Sequence, residues 1–217
     1  MKRMILIDGN SLMYRAYFGI ADTSTLKPNS KGVFTNAIMS FARMMNHILQ
    51  EQFDNILVAF DAGKHTFRHD IMTDYKAGRA HMPEEMRMQI AHIKNLLDLL
   101  GVKRYEVALY EADDIIGTMA KKAEGEGYHV DIYSSDKDLL QLITDNTTVH
   151  LTKKGLTDLE DYTPSHFEEV YGIKVPQFID LKALMGDKSD NISGVPGIGI
   201  KLSLIHISEP TRLLSIS

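Results

Sequence analysis

Four short apolar segments of this chain each end in an acidic residue or lead directly into acidic residues. The segments RMILID and NILVAF deliver Asp8 and Asp61. The segment KRYEVALY precedes the acids at 111–114, and YHVDIYSS precedes those at 136–138. Stretches with helical spacing of apolar residues lie between these segments. Strands that alternate with helices predict an α/β fold, in which a largely parallel central sheet is flanked by helices.

Parallel strands would bring these acids together, because the carboxyl ends of the strands form the binding edge of an open α/β sheet. The segment GDKSD contributes two further acids. The candidate metal ligands are Asp8, Asp61, Glu111, Asp113, Asp114, Asp136, Asp138, Asp187 and Asp190. One acid at a helix N-terminus is usually a cap. Many carboxylates at one edge repel one another instead, by about 1 kcal/mol per pair at ~4 Å in water. We therefore expect cations at this edge.

The residue types that the chain offers indicate which cation this would be. The sequence contains no cysteine, and its histidines show no paired spacing beside the acids. Oxygen ligands without sulfur or imidazole favour Mg²⁺ or Mn²⁺. The sequence also lacks a G-x-S-x-G elbow and a Walker glycine loop. Metal-dependent phosphodiester hydrolysis, in which water is the nucleophile, is the reaction class that remains.

Two further segments could face a phosphate backbone. Residues 64–79 carry the cations Lys64, Arg68, Lys76 and Arg79. A solvated surface loop of mixed charge explains this segment equally well, and Tyr75 could either stack on a base or pack on the domain. The segment GVPGIGIK presents Gly194, Gly197, Gly199 and Lys201. Its glycines leave backbone N–H groups open to a phosphate.

The composition limits the location and the partners of the protein. The chain has 217 residues, 44% hydrophobic residues and no cysteine, which suits a cytoplasmic globular protein without disulfides. No segment has the length of a membrane span, and the N-terminal apolar run ends at Asp8, too soon for a signal peptide. A net charge of −5 argues against nucleic-acid binding only where acids and bases are mixed, and here they are segregated.

Five motifs together indicate a known family: ILIDGNSLMYRAY, AFDAGKHTFRHDIMTDYKAGR, YEADDIIG, SSDKDLLQL and LMGDKSDNISGVPGIGIK. In this order, and without gaps up to Lys201, they resemble the 5′ nuclease domain of the bacterial DNA polymerase I family, a branch of the flap endonucleases. The resemblance implies a PIN-like fold with a helical arch at residues 64–100 or so. It also implies a monomeric, Mg²⁺-dependent 5′-3′ exonuclease and flap endonuclease of replication and repair. Its partners would be DNA with 5′ flaps, nicks or RNA primers, and it would be covalently continuous with a polymerase domain.

The resemblance also implies roles for individual residues. A tighter metal site would contain Asp8, Asp61, Glu111, Asp113 and Asp114. A second site would contain Asp136, Asp138, Asp187 and Asp190, so that two or more ions bind. Lys76 and Arg79 resemble the arch cations that reach the scissile phosphate, and Lys182 is a further candidate. The segment GVPGIGIK resembles a helix-hairpin-helix turn that grips the duplex, often with K⁺, although Ser193 stands where the family usually has proline.

The domain boundaries follow from the point at which the resemblance stops. We expect a nuclease core at 1–175 and the start of a helix-hairpin-helix region at 176–201. We expect residues 202–217 to be a non-native tail, because LSLIHISEPTR resembles the translation of a transposase adapter used in sequencing libraries. The family domain would then be truncated at its C-terminus. Two alternative functions stay open: a non-catalytic fragment that binds DNA structures, and a standalone 5′ nuclease or PIN-like ribonuclease.

Overall fold

The computed structural model describes residues 1–19, 27–153 and 158–208, and in these ranges the main sheet has six strands. They are β1 (Lys2–Asp8), β2 (Asn55–Thr66), β3 (Lys103–Leu109), β4 (Tyr128–Ser134), β5 (Thr147–Thr152) and β6 (Leu159–Tyr162). Their spatial order is β3-β2-β1-β4-β5-β6. The first five run parallel, and β6 pairs antiparallel with β5 at the edge. The predicted, largely parallel sheet is confirmed.

Helices cover both faces of this sheet. In the described ranges they are α1 (Gly9–Phe18), α2 (Asn36–Ile48), α3 (Phe67–Ile71), α4 (Glu84–Leu99), α5 (Ala112–Gly125), α6 (Pro164–Tyr171), α7 (Phe178–Met185) and α8 (Ile200–Ser208). Two 3₁₀ helices lie at Lys137–Leu142 and Val175–Gln177. A small hairpin is formed by β7 (Gly186–Asp187) and β8 (Ile192–Ser193). Of the helices in the described ranges, none is long and apolar enough to cross a membrane.

The apolar side chains of β1 alternate between two packed layers. Ile5 and Ile7 are buried against α1, α2 and α4, whereas Met4 and Leu6 are buried against α5, α6 and α7. Successive side chains of a strand point to opposite faces, so a fully apolar strand is buried on both sides. Each large apolar side chain buried in this way contributes about 1.5–3 kcal/mol to stability. This packing fixes the register of the strands and thereby the position of their carboxyl ends.

Strand order also determines where a binding crevice lies. β1 pairs with β2 on one side and with β4 on the other. The sheet therefore extends from β1 through β2 and β3 in one direction and through β4, β5 and β6 in the other. In open α/β sheets, such a switch point opens a crevice beyond the carboxyl ends of the two central strands. Asp8 ends β1, and Asp136 follows β4. The predicted acid edge therefore coincides with the switch point.

Residues 64–100, where a helical arch was predicted, contain the end of a strand, two helices and turns. β2 continues past Asp61 to Thr66, with an irregularity in its pairing with β3 between these two residues. α3 follows at once, and turns at residues 73–78 lead toward α4. α4 ends just before Gly101, whose left-handed φ of 70° closes the helix.

The hairpin of β7 and β8 brings two glycines together. A side chain on Gly194 would begin 2.2 Å from the backbone carbonyl carbon of Met185, and one on Gly186 would begin 2.2 Å from the backbone nitrogen of Gly194. Only glycine permits such a close approach of two backbones. Val195 N–H then donates to the carbonyl oxygen of Leu184 at 2.9 Å, which ties the segment after the hairpin to the end of α7.

α8 runs across the predicted boundary at Lys201. Ser203 is fully buried in it, and Leu204 and Ile207 pack against the core beside α7. The described part of the predicted tail, residues 202–208, is therefore helical and packed. That the tail is non-native stays a prediction, and its remainder, residues 209–217, lies outside the described residues.

Candidate metal and nucleic-acid site

Each strand end presents its acid in a defined hydrogen-bonded position. Asp8 caps α1, because its Oδ1 accepts from the backbone N–H of Ser11 at 2.9 Å. Asp61 Oδ1 accepts from the N–H of Ala112 at 2.7 Å, which links β2 to the first turn of α5. Asp136 caps the 3₁₀ helix that follows β4. The caps and the strand ends thus place acids from three separate segments at one edge of the sheet.

Four of the nine predicted ligands have no ion-pair partner within the described ranges. They are Asp8, Asp61, Asp113 and Asp136, which we call the open acids. Burial and the nearby charges of Asp8 and Asp136 together raise the pKa of Asp113 to about 8. Burial also raises the pKa of Asp8, to about 6. The open acids therefore lie close enough to act on one another, and no ion pair within the described ranges offsets their charge.

Three other acids are paired with cations from the predicted arch. Lys76 Nζ lies 2.8 Å from Glu111 Oε1. Arg68 forms a bidentate pair with Asp114, in which both N···O distances are 2.8 Å. This pair lowers the pKa of Asp114. Arg79 Nη2 lies 2.5 Å from an Asp190 carboxylate oxygen.

Lys182 holds the last two acids. Its Nζ lies 2.7 Å from Asp138 Oδ1 and 2.6 Å from Asp187 Oδ2, so one cation bridges two of the predicted second-site ligands. Burial opposes ionisation of Asp187, but the hydrogen bonds from Lys182 and Ser189 and the charge of Lys182 together outweigh it and lower the pKa of Asp187 to about 2. The predicted ligand set therefore divides into four open acids and five paired acids.

The nine acids meet at one edge of the sheet but do not converge on a single point. Among the described residues, no group of three or more acidic or histidine side chains is arranged so that it could hold one ion. All nine acids lie along one edge, and cations pair with five of them. The donor chemistry still fits a hard divalent cation, because the open acids are carboxylates crowded together and uncompensated. The ligand assignment itself stays a prediction.

Tyr75 corrects one expectation about nucleic-acid contacts. It was a candidate for stacking on a base, but its side chain is buried and only 6% exposed. The hydroxyl lies 3.2 Å from Glu111 Oε2 and 3.0 Å from Asp190 Oδ2, and it donates its single proton to one of them at a time. Packing on the domain, the alternative, is what the structure shows. The reason is that the arch turn folds inward onto the acid edge.

The other predicted DNA contacts differ in how accessible they are. Lys64 and Lys201 are exposed, and Gly197 adopts the left-handed φ of 80° that a tight turn requires. Gly199 has open space around it. Gly194 has a packing role of its own in the hairpin, and Arg68 is engaged with Asp114 as described. Their contacts with DNA stay predictions.

The sequence analysis missed several polar neighbours of the acid edge. Asn10 Nδ2 donates to Asp61 Oδ2 at 2.5 Å, and Ser134 Oγ donates to Asp8 Oδ2 at 2.9 Å. Tyr14 is 38% exposed beside this edge and stacks on Phe18 with 6.1 Å between ring centroids. The position of Asn10 directly after an acid-terminated strand was the available signal. The role of Ser134 follows only from the pairing of β1 with β4.

Comparison with known proteins identifies the family. A family model described as "5′-3′ exonuclease, N-terminal resolvase-like domain" matches residues 3–172. The chain belongs to this 5′-3′ exonuclease family. It is 52% identical over 204 residues to DNA polymerase I of Bacillus subtilis (strain 168) and 50% identical over 210 residues to that of Streptococcus pneumoniae (strain R6). Both matches cover 94% of this chain but only 23% and 24% of the relatives, so the chain spans roughly a quarter of their length.

Solved structures of the family have the same fold. A bacteriophage T5 5′-exonuclease with bound zinc ions matches with a TM-score of 0.73 at 27% identity, over 96% of this chain and 75% of that one. A T5 flap endonuclease in a complex with DNA and metal ions matches with a TM-score of 0.72 at 26% identity, over 99% and 78%. A flap endonuclease-1 from Methanococcus jannaschii, at 21% identity and a TM-score of 0.63 over 95% and 70%, is similar in fold. The predicted 5′ nuclease family and PIN-like fold are confirmed.

Proposed function

We propose that this chain hydrolyses phosphodiester bonds at the 5′ ends and 5′ flaps of DNA, and in RNA primers, with Mg²⁺ or Mn²⁺ as cofactor. The observation that carries the proposal is the cluster of open acids at the switch point of a 5′ nuclease fold, faced by a turn rich in cations. Carboxylates alone would repel a phosphate backbone. Such a cluster can therefore bind a phosphodiester substrate only when bound cations neutralise its negative charge.

The open acids would hold the first ion, because no Lys or Arg in the described ranges is paired with them. These acids are Asp8, Asp61, Asp113 and Asp136. Of the paired acids, Asp138, Asp187 and Asp190 would contribute to a second ion. Bound there, the ions would supply Lewis-acid charge to the phosphoryl oxygens and to the attacking water. Family structures that carry divalent ions support this part of the proposal.

The side chains of the chain have separate tasks in this scheme. Lys76 and Arg79 would contact the scissile phosphate, because the arch turn holds both at the acid edge. Lys182 would keep Asp138 and Asp187 oriented toward the same edge. Positive charge positioned where charge develops in the transition state is commonly the largest catalytic contribution of a site.

Substrate binding would involve the arch and the hairpin region. The exposed Lys64 would contact the phosphate backbone at the arch. The turn from Gly194 to Gly199 and the adjacent Lys201 would contact the duplex backbone, with K⁺ bound at the turn. The complex of a T5 flap endonuclease with DNA and metal ions supports DNA as the substrate. We further propose that the nuclease acts as part of a DNA polymerase I, because its curated relatives are such polymerases. A monomeric state stays a prediction.

A flap-cleavage assay tests the proposal directly. The chain is incubated with a labelled 5′-flap duplex in Mg²⁺, in Ca²⁺ or in a chelator, beside the variant Asp113→Asn. We expect cleavage in Mg²⁺ and a cleavage rate at least about 10²-fold lower in the variant. Asp113 is an open acid, so its replacement leaves no Lys or Arg side chain without its partner. The matched control is Asp145→Asn, which changes an exposed acid in the turn before β5.

The alternatives make different predictions in the same assay. Binding of the flap without cleavage in Mg²⁺ would favour a non-catalytic DNA-structure binder. Cleavage of single-stranded RNA in preference to the flap duplex would favour a PIN-like ribonuclease. Equal activity of the wild type and Asp113→Asn would show that the open acids are not the metal site.

A further inference from the structure

Two turns that are distant in the sequence meet above the acid edge. Several hydrogen bonds join the arch turn, residues 74–79, to the hairpin turn, residues 188–191. Two of them run in opposite directions and involve the side chain of Asn191 and the backbone N–H of Lys76. Asn191 Nδ2 donates to the carbonyl oxygen of Asp74 at 2.8 Å, and Lys76 N–H donates to the carbonyl oxygen of Asp190 at 3.0 Å. We call this pair of bonds the clasp. It connects segments more than a hundred residues apart.

Each side of the clasp contains a residue with left-handed backbone. Lys76 and Asn191 both have a φ of 58°, and these are two of the three non-glycine residues with positive φ in the described ranges. Asparagine adopts this conformation more readily than other residues that carry a Cβ. At position 191 it therefore meets two requirements, because the backbone can turn and the side chain can donate. Glycine would meet the first requirement only.

The side chains beside the clasp are those that the proposed reaction needs. Lys76 reaches Glu111, and Arg79 reaches Asp190, from the same arch turn. Tyr75, between them, is buried against the same acids. The side chain of Asn191 itself bonds the Asp74 carbonyl and no carboxylate in the described part of the chain. Its place in the site is thus indirect.

We infer that Asn191 is a positioning residue, which locks the arch turn onto the hairpin turn and so keeps Lys76 and Arg79 at the acid edge. Its significance for catalysis rests on the proposed function. Without the clasp, the arch turn would keep its ion pairs and the hydrogen bonds of Tyr75, but these contacts run through the ends of side chains and fix the turn's backbone less directly. The hydrogen bonds of the clasp fix the backbone itself.

Two variants remove the side-chain donor and preserve the left-handed turn. Asn191→Asp is isosteric and tolerates the same φ, but its carboxylate cannot donate to the Asp74 carbonyl. Asn191→Gly adopts the conformation freely and has no side chain. The control is Asp74→Asn, which alters that side chain but keeps the carbonyl that the clasp uses. All are made in the full 217-residue chain, and a thermal melt confirms that each one folds.

The first measurement is hydrogen–deuterium exchange over residues 73–79, which needs no substrate. We expect faster exchange in both Asn191 variants, and wild-type protection in Asp74→Asn. The second measurement is flap cleavage at saturating Mg²⁺. One neutral hydrogen bond corresponds to a loss of about three- to tenfold, which we expect in kcat, with KM for the flap and Mn²⁺ affinity changed less than about twofold.

The outcomes separate the clasp from the proposed function. Unchanged exchange in both Asn191 variants would overturn the clasp, whatever the cleavage rates. Faster exchange with unchanged kcat would overturn the positioning role and leave a merely structural contact. A fall in Mn²⁺ affinity as large as the fall in kcat would also overturn it, because Asn191 would then act through the ligands. If the wild type cleaves no flap, the proposed function and the positioning role fall together, while the exchange data still decide the clasp.

Discussion

The ammonium group of Lys76 lies 2.8 Å from a carboxylate oxygen of Glu111, in a pair that is mostly shielded from solvent. Lys76 belongs to the arch turn and Glu111 caps α5, so the pair joins the substrate-facing segment to the acid edge. The same lysine was predicted to reach the scissile phosphate, and the same glutamate was predicted to bind metal. Lys76 is therefore placed to act either on the scissile phosphate or on the predicted metal ligand Glu111. Its replacement should show which of these two roles matters.

Replacing Lys76 by alanine should slow flap cleavage by about 10²-fold, because it removes a positioned charge from the developing negative charge of the phosphate. Affinity for Mn²⁺, measured by titration calorimetry without DNA, should stay the same or rise, since Glu111 loses a competing cation. Lys121→Ala, on the exposed side of α5, is the control and should change neither quantity. A fall in Mn²⁺ affinity in Lys76→Ala would contradict the assigned role.

Asp113→Asn should stabilise the chain in the absence of divalent ions. Burial and the charges of Asp8, Asp136, Asp61 and Glu111 raise the pKa of Asp113 to about 8, so its ionised form opposes folding. A raised folded-state pKa means that stability is greatest below about pH 4 and is lost as pH rises through about 8.

Chemical denaturation of this variant in a chelator should therefore show a gain on the order of 1–3 kcal/mol at pH 8 and little gain near pH 4. Added Mg²⁺ should stabilise the wild type more than the variant, because the variant has lost a predicted ligand. If Asp113→Asn is less stable than the wild type at pH 8 in a chelator, the negative charge of Asp113 does not oppose folding, because other groups of the folded protein stabilise it.

Gly194→Ala should unfold the hairpin of β7 and β8. The new Cβ would lie 2.2 Å from the backbone of Met185, which no side-chain rearrangement can relieve, so we expect a loss of about 3 kcal/mol or more. Gly199→Ala is the matched control, because nothing lies within contact distance of its Cβ. It should change stability by less than about 1 kcal/mol. Equal melting temperatures for the two variants would refute the close approach.

The free energy of unfolding should also depend on pH through His150, which lies in β5. Its ring lies between Asp131 and Asp161, at 2.8 Å and 2.7 Å, and stacks on Tyr133. Burial opposes protonation, but the hydrogen bonds to Asp131 and Asp161 outweigh it and raise the pKa of His150. Arg3 also faces Asp131, at 2.6 Å.

The stability that the imidazolium contributes is present below pH 6.5 and is lost as pH rises through the raised pKa. His150→Asn should therefore cost about 2 kcal/mol at pH 6 and clearly less at pH 9, measured by chemical denaturation. The same loss at both pH values would mean that His150 is neutral in the folded protein and acts through packing alone.

Local sequence determined the sheet and the site's acids. Apolar runs such as RMILID and NILVAF form strands that are buried on both faces of a parallel sheet, and each run ends in, or just before, an acid. The carboxyl ends of parallel strands meet at one edge, so the convergence of Asp8, Asp61 and Asp136 could be predicted without a structure. The family motifs were equally local, since each lies within one short segment.

Only the tertiary structure decided which charges neutralise which. The partners are separated by 35 to more than 100 residues in the sequence. They are Lys76 with Glu111, Tyr75 with Asp190, and Asn191 with Asp74. Their meeting depends on the inward fold of the arch turn and on the approach of Gly194 to Gly186, which a local pattern does not encode. Electrostatic pairing acts over a few ångströms in space, whereas sequence patterns report only on neighbours along the chain. The division into open and paired acids, and the contacts between the arch turn and the hairpin turn, therefore belong to the folded structure.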